Sequence, residues 1–174
     1  MAADIVATAK EMLRLGLVSG SSGNVSVREG ELVHITPAGL PYERMTPDDV
    51  VTLALDGTVV AGAREPSSER RVHLAVYAAR PEAGALVHTH SEHATAWSFR
   101  GTPLGPVLTA PFAPSGSDEI AAAAVEALGD RDAVLLGRHG VLALGATPAA
   151  ALAVCAAVER QAQRSSVTKR TQPG

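Results

Sequence analysis

Two histidines separated by one residue close a short apolar run, Ala85-Leu86-Val87-His88-Thr89-His90. A β-strand has a side-chain period of two, so His88 and His90 would project from one face and Val87 and Thr89 from the other. Two neutral imidazoles on one face of a stiff backbone begin a divalent-metal site. Such a site, when catalytic, takes three protein ligands and keeps one position open. The bland alternative is an ordinary strand end. Of the six histidines in the chain, His139 is the best third ligand, because it lies between two apolar runs beside Gly140, where a missing Cβ lets backbone approach a site. His93 follows the pair closely enough to ligate or to bond a ligand's second nitrogen. His34 alternates within an extended run and His73 falls in a helical one, so surface or packing roles suit both.

A second group consists of short donors. Gly23-Asn24, Thr36 with Gly39, and Ser67-Ser68 each place hydroxyl, amide or turn N–H groups at the end of a regular element. A phosphate is bound by several such donors, best of all at a helix N-terminus. Turns and caps are built from the same residues, so no one of these carries the reading alone. Glu69 directly follows the serine pair. As a helix-start carboxylate it would only complement the dipole; facing a metal, it becomes a candidate base beside a polarised carbonyl.

The elements that would position these groups follow from periodicity. An apolar stripe of Ile5, Val6, Ala9, Leu13 and Leu15 with Met12 predicts a helix over residues 3–16. Residues 24–28 and 32–36 alternate around Glu29-Gly30, and residues 50–55 and 58–61 flank Asp56-Gly57, which predicts two hairpins. Thr46-Pro47 opens a capped single turn. Ser67 or Ser68 should cap a helix ending near Ala79 before Pro81. A strand over 85–90, a short helix over 92–99 and a Gly/Pro/Ser-rich stretch over 100–117 come next. Ser117 then caps a helix to Leu128, strands cover 133–136 and 141–144, and Thr147-Pro148 opens an alanine-rich helix to about Arg164. Residues 165–174 read as a flexible polar tail. Neither a repeat nor a GxGxxG occurs, and sequential βαβ spacing is poor, so the expectation is one α/β domain over 1–164 with short hairpins rather than a dinucleotide fold.

Composition sets the outer limits. The chain has 174 residues, 46% apolar and 19% charged, enough to build a core without staples. A net charge of −3 argues against a nucleic-acid partner. The single cysteine, Cys155, rules out an intrachain disulfide and fits a cytoplasmic setting. The first residues read as no signal peptide, and no apolar run is long enough for a membrane span.

Taken in order, S-G-N-V-S, T-P-A-G, P-S-S-E, H-x-H and R-H-G resemble the class II (zinc-dependent) aldolase and adducin head family, and within it the L-fuculose-1-phosphate aldolase branch. The resemblance implies an α/β three-layer α/β/α sandwich around a central, largely antiparallel (mixed) sheet. It implies one Zn²⁺ per chain, or another divalent metal, on His88, His90 and His139, with Glu69 as acid/base. It implies phosphate held by Gly23, Asn24, Thr36, Gly39, Ser67 and Ser68, with His93 and Arg138 behind the ligands. The expected activity is cleavage of a ketose 1-phosphate, a sugar phosphate, to dihydroxyacetone phosphate and an aldehyde, in a cytoplasmic homotetramer with active sites between subunits. A dehydratase or decarboxylase of the same fold, or a non-catalytic adducin-head-like module, are the alternatives. Three departures stand out. Phe112 occupies the place of the family's proton-donating tyrosine, the only tyrosines are Tyr42 and Tyr77, so the family's C-terminal tyrosine has no counterpart, and Arg138 replaces a frequent Asn.

Overall fold

A computed structural model describes residues 1–168. Its elements in chain order are α1 (Ala2–Arg14), β1 (Asn24–Glu29), β2 (Leu32–Ile35), 3-10 turns at Tyr42–Arg44 and Pro47–Asp49, β3 (Val51–Ala54) and β4 (Val59–Ala61). There follow α2 (Arg70–Ala79), β5 (Ala85–Thr89), α3 (Glu92–Ser98), β6 (Thr109–Ala110), α4 (Asp118–Leu128), β7 (Ala133–Leu136), β8 (Gly140–Gly145) and α5 (Pro148–Thr168). The strands form one sheet in the order β4-β3-β2-β1-β5-β8-β7-β6. Every pairing is antiparallel except β6 with β7. This is the expected three-layer sandwich on a mixed sheet.

Strand alternation divides the core in two. Val25, Val27, Ala85, Val87, Val141 and Ala143 meet the helices α1, α3 and α5 on one face. Leu86, Val134, Leu136, Leu142 and Leu144 meet α2 and α4 on the other. The second face carries a cluster of polar groups: Asn24, Ser26 and His88 stand on it, all buried, with Asn24 and His88 directly paired across β1 and β5. The site lies at this cluster.

Local signals place most boundaries. Ser117 caps α4, its hydroxyl accepting from the Ile120 N–H at 3.3 Å, and Thr147 does the same for the start of α5 through the Ala150 N–H at 3.2 Å. Thr46 and Asp49 form a reciprocal capping box around the Pro47 turn. Two expectations need correction. Helix α2 begins at Arg70, not at the serine pair; Ser67 and Ser68 precede it in a turn, and the Ser67 hydroxyl accepts from the Glu69 N–H at 3.3 Å. Helix α5 runs on past Arg164 to Thr168, because nothing in that polar stretch breaks a helix, so residues 165–168 are helical; residues 169–174 lie outside the described residues. Among the described residues no helix is long and apolar enough to cross a membrane.

Candidate metal centre

Strand β5 delivers His88, and His90 follows one residue past its end. Gly23 and Gly140 bring neighbouring backbone against this segment. A Cβ on Gly23, whose φ is +73°, would sit 2.4 Å from the His88 carbonyl oxygen, and one on Gly140 would sit 2.2 Å from that of Thr89. No side chain fits either gap. The Gly140 contact draws the start of β8 onto the end of β5 and so carries His139 to the histidine pair. Gly140→Ala should therefore cost at least about 1–3 kcal/mol of stability, the usual range for overpacking, because the obstruction is backbone. Thermal melting checks it, and an unchanged melting temperature would show that the approach is looser than described.

Four ligand groups converge. Glu69, His88, His90 and His139 offer nitrogen or oxygen atoms that all lie within 4.8 Å of one another. Nε2 of His88 and Nε2 of His90 are 2.8 Å apart. The Glu69 carboxylate lies 3.2 Å from His88 Nε2 and 3.1 Å from His139 Nε2. Ligands roughly 2.0–2.1 Å from a tetrahedral ion stand roughly 3.3 Å from one another, so these separations suit one ion at the centre. His88 is set for ligation by its other nitrogen: Nδ1–H donates to the Val141 carbonyl at 2.7 Å, which leaves Nε2 with a free lone pair.

The electrostatics agree with a site that attracts cations. Burial works to raise the Glu69 pKa, yet His88, His139 and the Ser115 hydroxyl together hold it well below the usual carboxylate range. Burial works to lower His88, but the adjoining Glu69 carboxylate and the Val141 carbonyl raise it. His90 is pushed down to about 3 by burial and by the neighbouring His88 and His139. His139 is lowered by burial and by His88. A carboxylate thus stays charged beside two imidazoles, His90 and His139, that resist protonation, while His88 holds a proton that a divalent ion must displace.

The sequence reading placed Glu69 only as a base; the structure also puts its carboxylate among the ligand atoms. Two other groups bind it. Asn24 Nδ2 donates to Oε2 at 2.8 Å, and the Ser115 hydroxyl donates to Oε1 at 2.9 Å. Ser115 was not anticipated. It arrives from the Gly/Pro/Ser stretch, which is pinned over α2 where Arg71 donates to the Gly116 carbonyl at 3.0 Å. A cleft of about 170 Å³ opens beside the cluster, lined by Ser21, Ser22, Gly39, Ser67, Ser68 and Ser115 together with Gly23, Asn24, Glu69, His90 and His139. Gly23, Asn24, Gly39, Ser67 and Ser68 all line it, and Asn24 also gives one amide N–H to Glu69 and bonds His73 through its carbonyl oxygen. Thr36 does not line the cleft. It is fully buried, and its hydroxyl accepts from the Val25 N–H at 3.3 Å.

The remaining candidates stand apart. His93 lies in the first turn of α3, where the Glu159 carboxylate accepts from the His93 and Ala94 N–H groups; its imidazole is not among the four converging groups. Arg138 takes a left-handed φ of +58° in the bend before His139, and its guanidinium lies 5.4 Å from the exposed Phe112 ring. His34 bonds Thr52 and Glu29 on the far part of the sheet. Neither tyrosine hydroxyl lines the cleft: Tyr42 donates to the Gly23 carbonyl, and Tyr77 bonds Ser26.

Comparison with known proteins places this geometry. The family described as Class II Aldolase and Adducin N-terminal domain matches residues 3–165. A 5-deoxy-D-ribulose 1-phosphate aldolase from Bacillus thuringiensis is 44% identical over 153 residues, 80% of this chain and 72% of that protein. An L-fuculose phosphate aldolase from Escherichia coli is 40% identical over 155 residues, covering 82% and 72%. Among solved structures, an L-fuculose 1-phosphate aldolase superposes with a TM-score of 0.93 at 30% identity, over 99% of this chain and 88% of that one.

Proposed function

Since the chain belongs to the class II aldolase and adducin N-terminal domain family, we propose that it is a zinc-dependent aldolase that cleaves a ketose 1-phosphate to dihydroxyacetone phosphate and an aldehyde. The observation that carries this reading is the convergence of three imidazoles and one carboxylate at the edge of a serine-lined cleft. An ordinary strand-end pair of histidines would have no reason to share a third histidine and a buried carboxylate. An adducin-head-like module without chemistry would have no use for the set.

His88, His90 and His139 would hold the ion, with Glu69 able to complete the set until substrate arrives. A divalent ion there supplies Lewis-acid stabilisation of negative charge on the ketose carbonyl oxygen. The chain's own groups do the rest. In the cleavage, the proton leaves the C4 hydroxyl, the C3–C4 bonding pair stays on C3, and a proton is returned at C3. Glu69 is the group proposed to move the C3 proton. Its Oε1 faces the cleft side with Ser115, and Asn24 holds Oε2. Ser67 and Ser68 with the turn at Gly39 are proposed to bind the phosphate; Ser21 and Ser22 lie on the same wall and extend the donor set. Gly23 shapes that wall, Asn24 is proposed to add its second amide N–H to the donors, and the fully buried Thr36 supports the wall from behind. The Phe112 ring carries no acid–base group and cannot take the C4 proton, which is proposed to pass to water. The homotetramer, its interfacial active sites and the cytoplasmic setting belong to the same proposal, as does the limit of the domain near residue 164.

The test is turnover by the zinc-loaded full chain of a panel beginning with 5-deoxyribulose 1-phosphate and fuculose 1-phosphate, the substrates in the names of its relatives. Dihydroxyacetone phosphate should be released, read by coupled reduction, and the non-phosphorylated sugars should be poor substrates. Silence across pentuloses and hexuloses with the metal confirmed in place would remove the aldolase assignment.

A further inference from the structure

Behind Glu69, a line of buried polar groups starts at Asn24 on the cleft wall and runs inward between β1 and α2. Tyr77 Oη is 2.9 Å from Ser26 Oγ, Ser26 Oγ is 2.6 Å from His73 Nδ1, His73 Nε2 meets Asn24 Oδ1, and Asn24 Nδ2 reaches Glu69 Oε2 at 2.8 Å. Each of the four residues behind Glu69 is 2% exposed or less. The space around Asn24, His73, His88 and Glu69 leaves no room for a water molecule. No solvent can therefore substitute there for the His73–Asn24 or Asn24–Glu69 link.

The chemistry of the last link fixes the direction of all the others. An ionised carboxylate only accepts, so Asn24 must turn its NH₂ to Glu69 and its carbonyl oxygen to His73. A carbonyl oxygen only accepts, so His73 must carry its proton on Nε2. The bare Nδ1 must then accept, which makes Ser26 the donor. With its proton committed, the Ser26 oxygen accepts from Tyr77. Burial agrees with a neutral ring, holding the His73 pKa down to about 3.

We infer that His73 is a positioning residue for Glu69: the chain of donors Tyr77→Ser26→His73→Asn24→Glu69 fixes the Asn24 amide, and through it the carboxylate oxygen that faces the metal ligands. The chain runs one way, so it aims the carboxylate without draining protons from it. Asn24 is the hinge of the device. Without the Nε2–H of His73, its amide is free to turn, and a turned amide would present oxygen to oxygen at Glu69. This inference rests on reading Glu69 as the working carboxylate, but its test does not require turnover.

The experiment uses the full chain and has two arms. In the first, long-range ¹H–¹⁵N NMR of the metal-free wild type identifies the His73 ring as the signal absent from His73→Phe. The expected result is the Nε2–H tautomer between pH 5 and 8. An Nδ1–H tautomer, or a protonated ring at neutral pH, overturns the inference, and this arm needs no variant turnover. In the second, zinc alone is titrated into wild type, His73→Phe and His73→Gln. His73→Phe should bind about tenfold more weakly, the low end for a lost partner behind a ligand. His73→Gln keeps an amide donor and should recover most of that loss, although both variants lose the ring. Equal affinities in all three proteins, or no recovery with Gln, overturn the positioning role. If His73→Phe fails to fold, selective histidine labelling assigns the wild-type ring and the tautomer still decides. If the wild type turns over no ketose phosphate yet shows the Nε2–H ring and the graded zinc affinities, the proposed reaction fails while the positioning role stands.

Discussion

Changing His88 and His90 together to Ala should empty the site: bound zinc falls from about one ion per chain to a trace, and turnover falls by about three orders of magnitude or more. Metal Lewis acidity supplies several kcal/mol of charge stabilisation, and 1.36 kcal/mol is a factor of ten in rate. The double change removes two of the three imidazoles and leaves His139 with Glu69, a pair too few for a closed coordination set. Metal content by elemental analysis is the direct readout. His34→Gln serves as the control, since His34 bonds Thr52 and Glu29 away from the cluster and should leave the metal untouched. A pH dependence accompanies the ion. Glu69 raises the His88 pKa, so the metal-free site holds a proton on His88 up to a higher pH than an ordinary histidine would. Zinc must displace that proton. Apparent affinity should therefore fall as pH falls through the raised His88 value, with proton release on binding below it. Unaltered metal content in the double variant would mean that the ion sits elsewhere.

What could be read from the chain beforehand was local, and what could not was long-range. The hairpins were legible because Glu29-Gly30 and Asp56-Gly57 turn the chain within two residues. His88 and His90 were legible because a strand's period is two, and His139 because Gly140 marks a close approach. Spacing alone marks Glu69 as a carboxylate near a helix start, and its role as acid/base comes from the family resemblance. Its four defining contacts, to Asn24, Ser115, His88 and His139, cross the chain between separate elements, and nothing in their spacing announces them. The same holds for the donors assigned to phosphate. Asn24 and Thr36 belong to turns with the right chemistry, yet the fold uses their polar atoms internally, on Glu69, His73 and the Val25 N–H. Periodicity says which face a side chain takes. It does not say whether a polar atom on that face is already taken.

Glu69→Gln should separate the metal from the chemistry. The amide keeps the size of the carboxylate but loses its charge and its capacity to accept and return a proton. General acid–base catalysis by one positioned group contributes typically about 10²–10⁴-fold, so kcat should fall by that order. The serine wall is unchanged, and KM for a phosphorylated substrate should move little. Zinc should still bind through the three imidazoles, more weakly, because one oxygen ligand and its negative charge are gone. Its pH dependence should also flatten. Without the carboxylate, His88 loses the partner that raised its pKa while the burial that lowers it remains, so less proton has to be displaced. The combination is what distinguishes a working carboxylate from a structural one. A purely structural Glu69 would lose stability and metal while the turnover of each loaded site stayed as in the wild type. A Glu69 that moves the proton would lose turnover at full metal occupancy. Measuring kcat per bound zinc, with zinc in excess of its dissociation constant, decides between them, and a kcat per zinc within about threefold of wild type, well short of the general acid–base contribution, would assign the proton to another group.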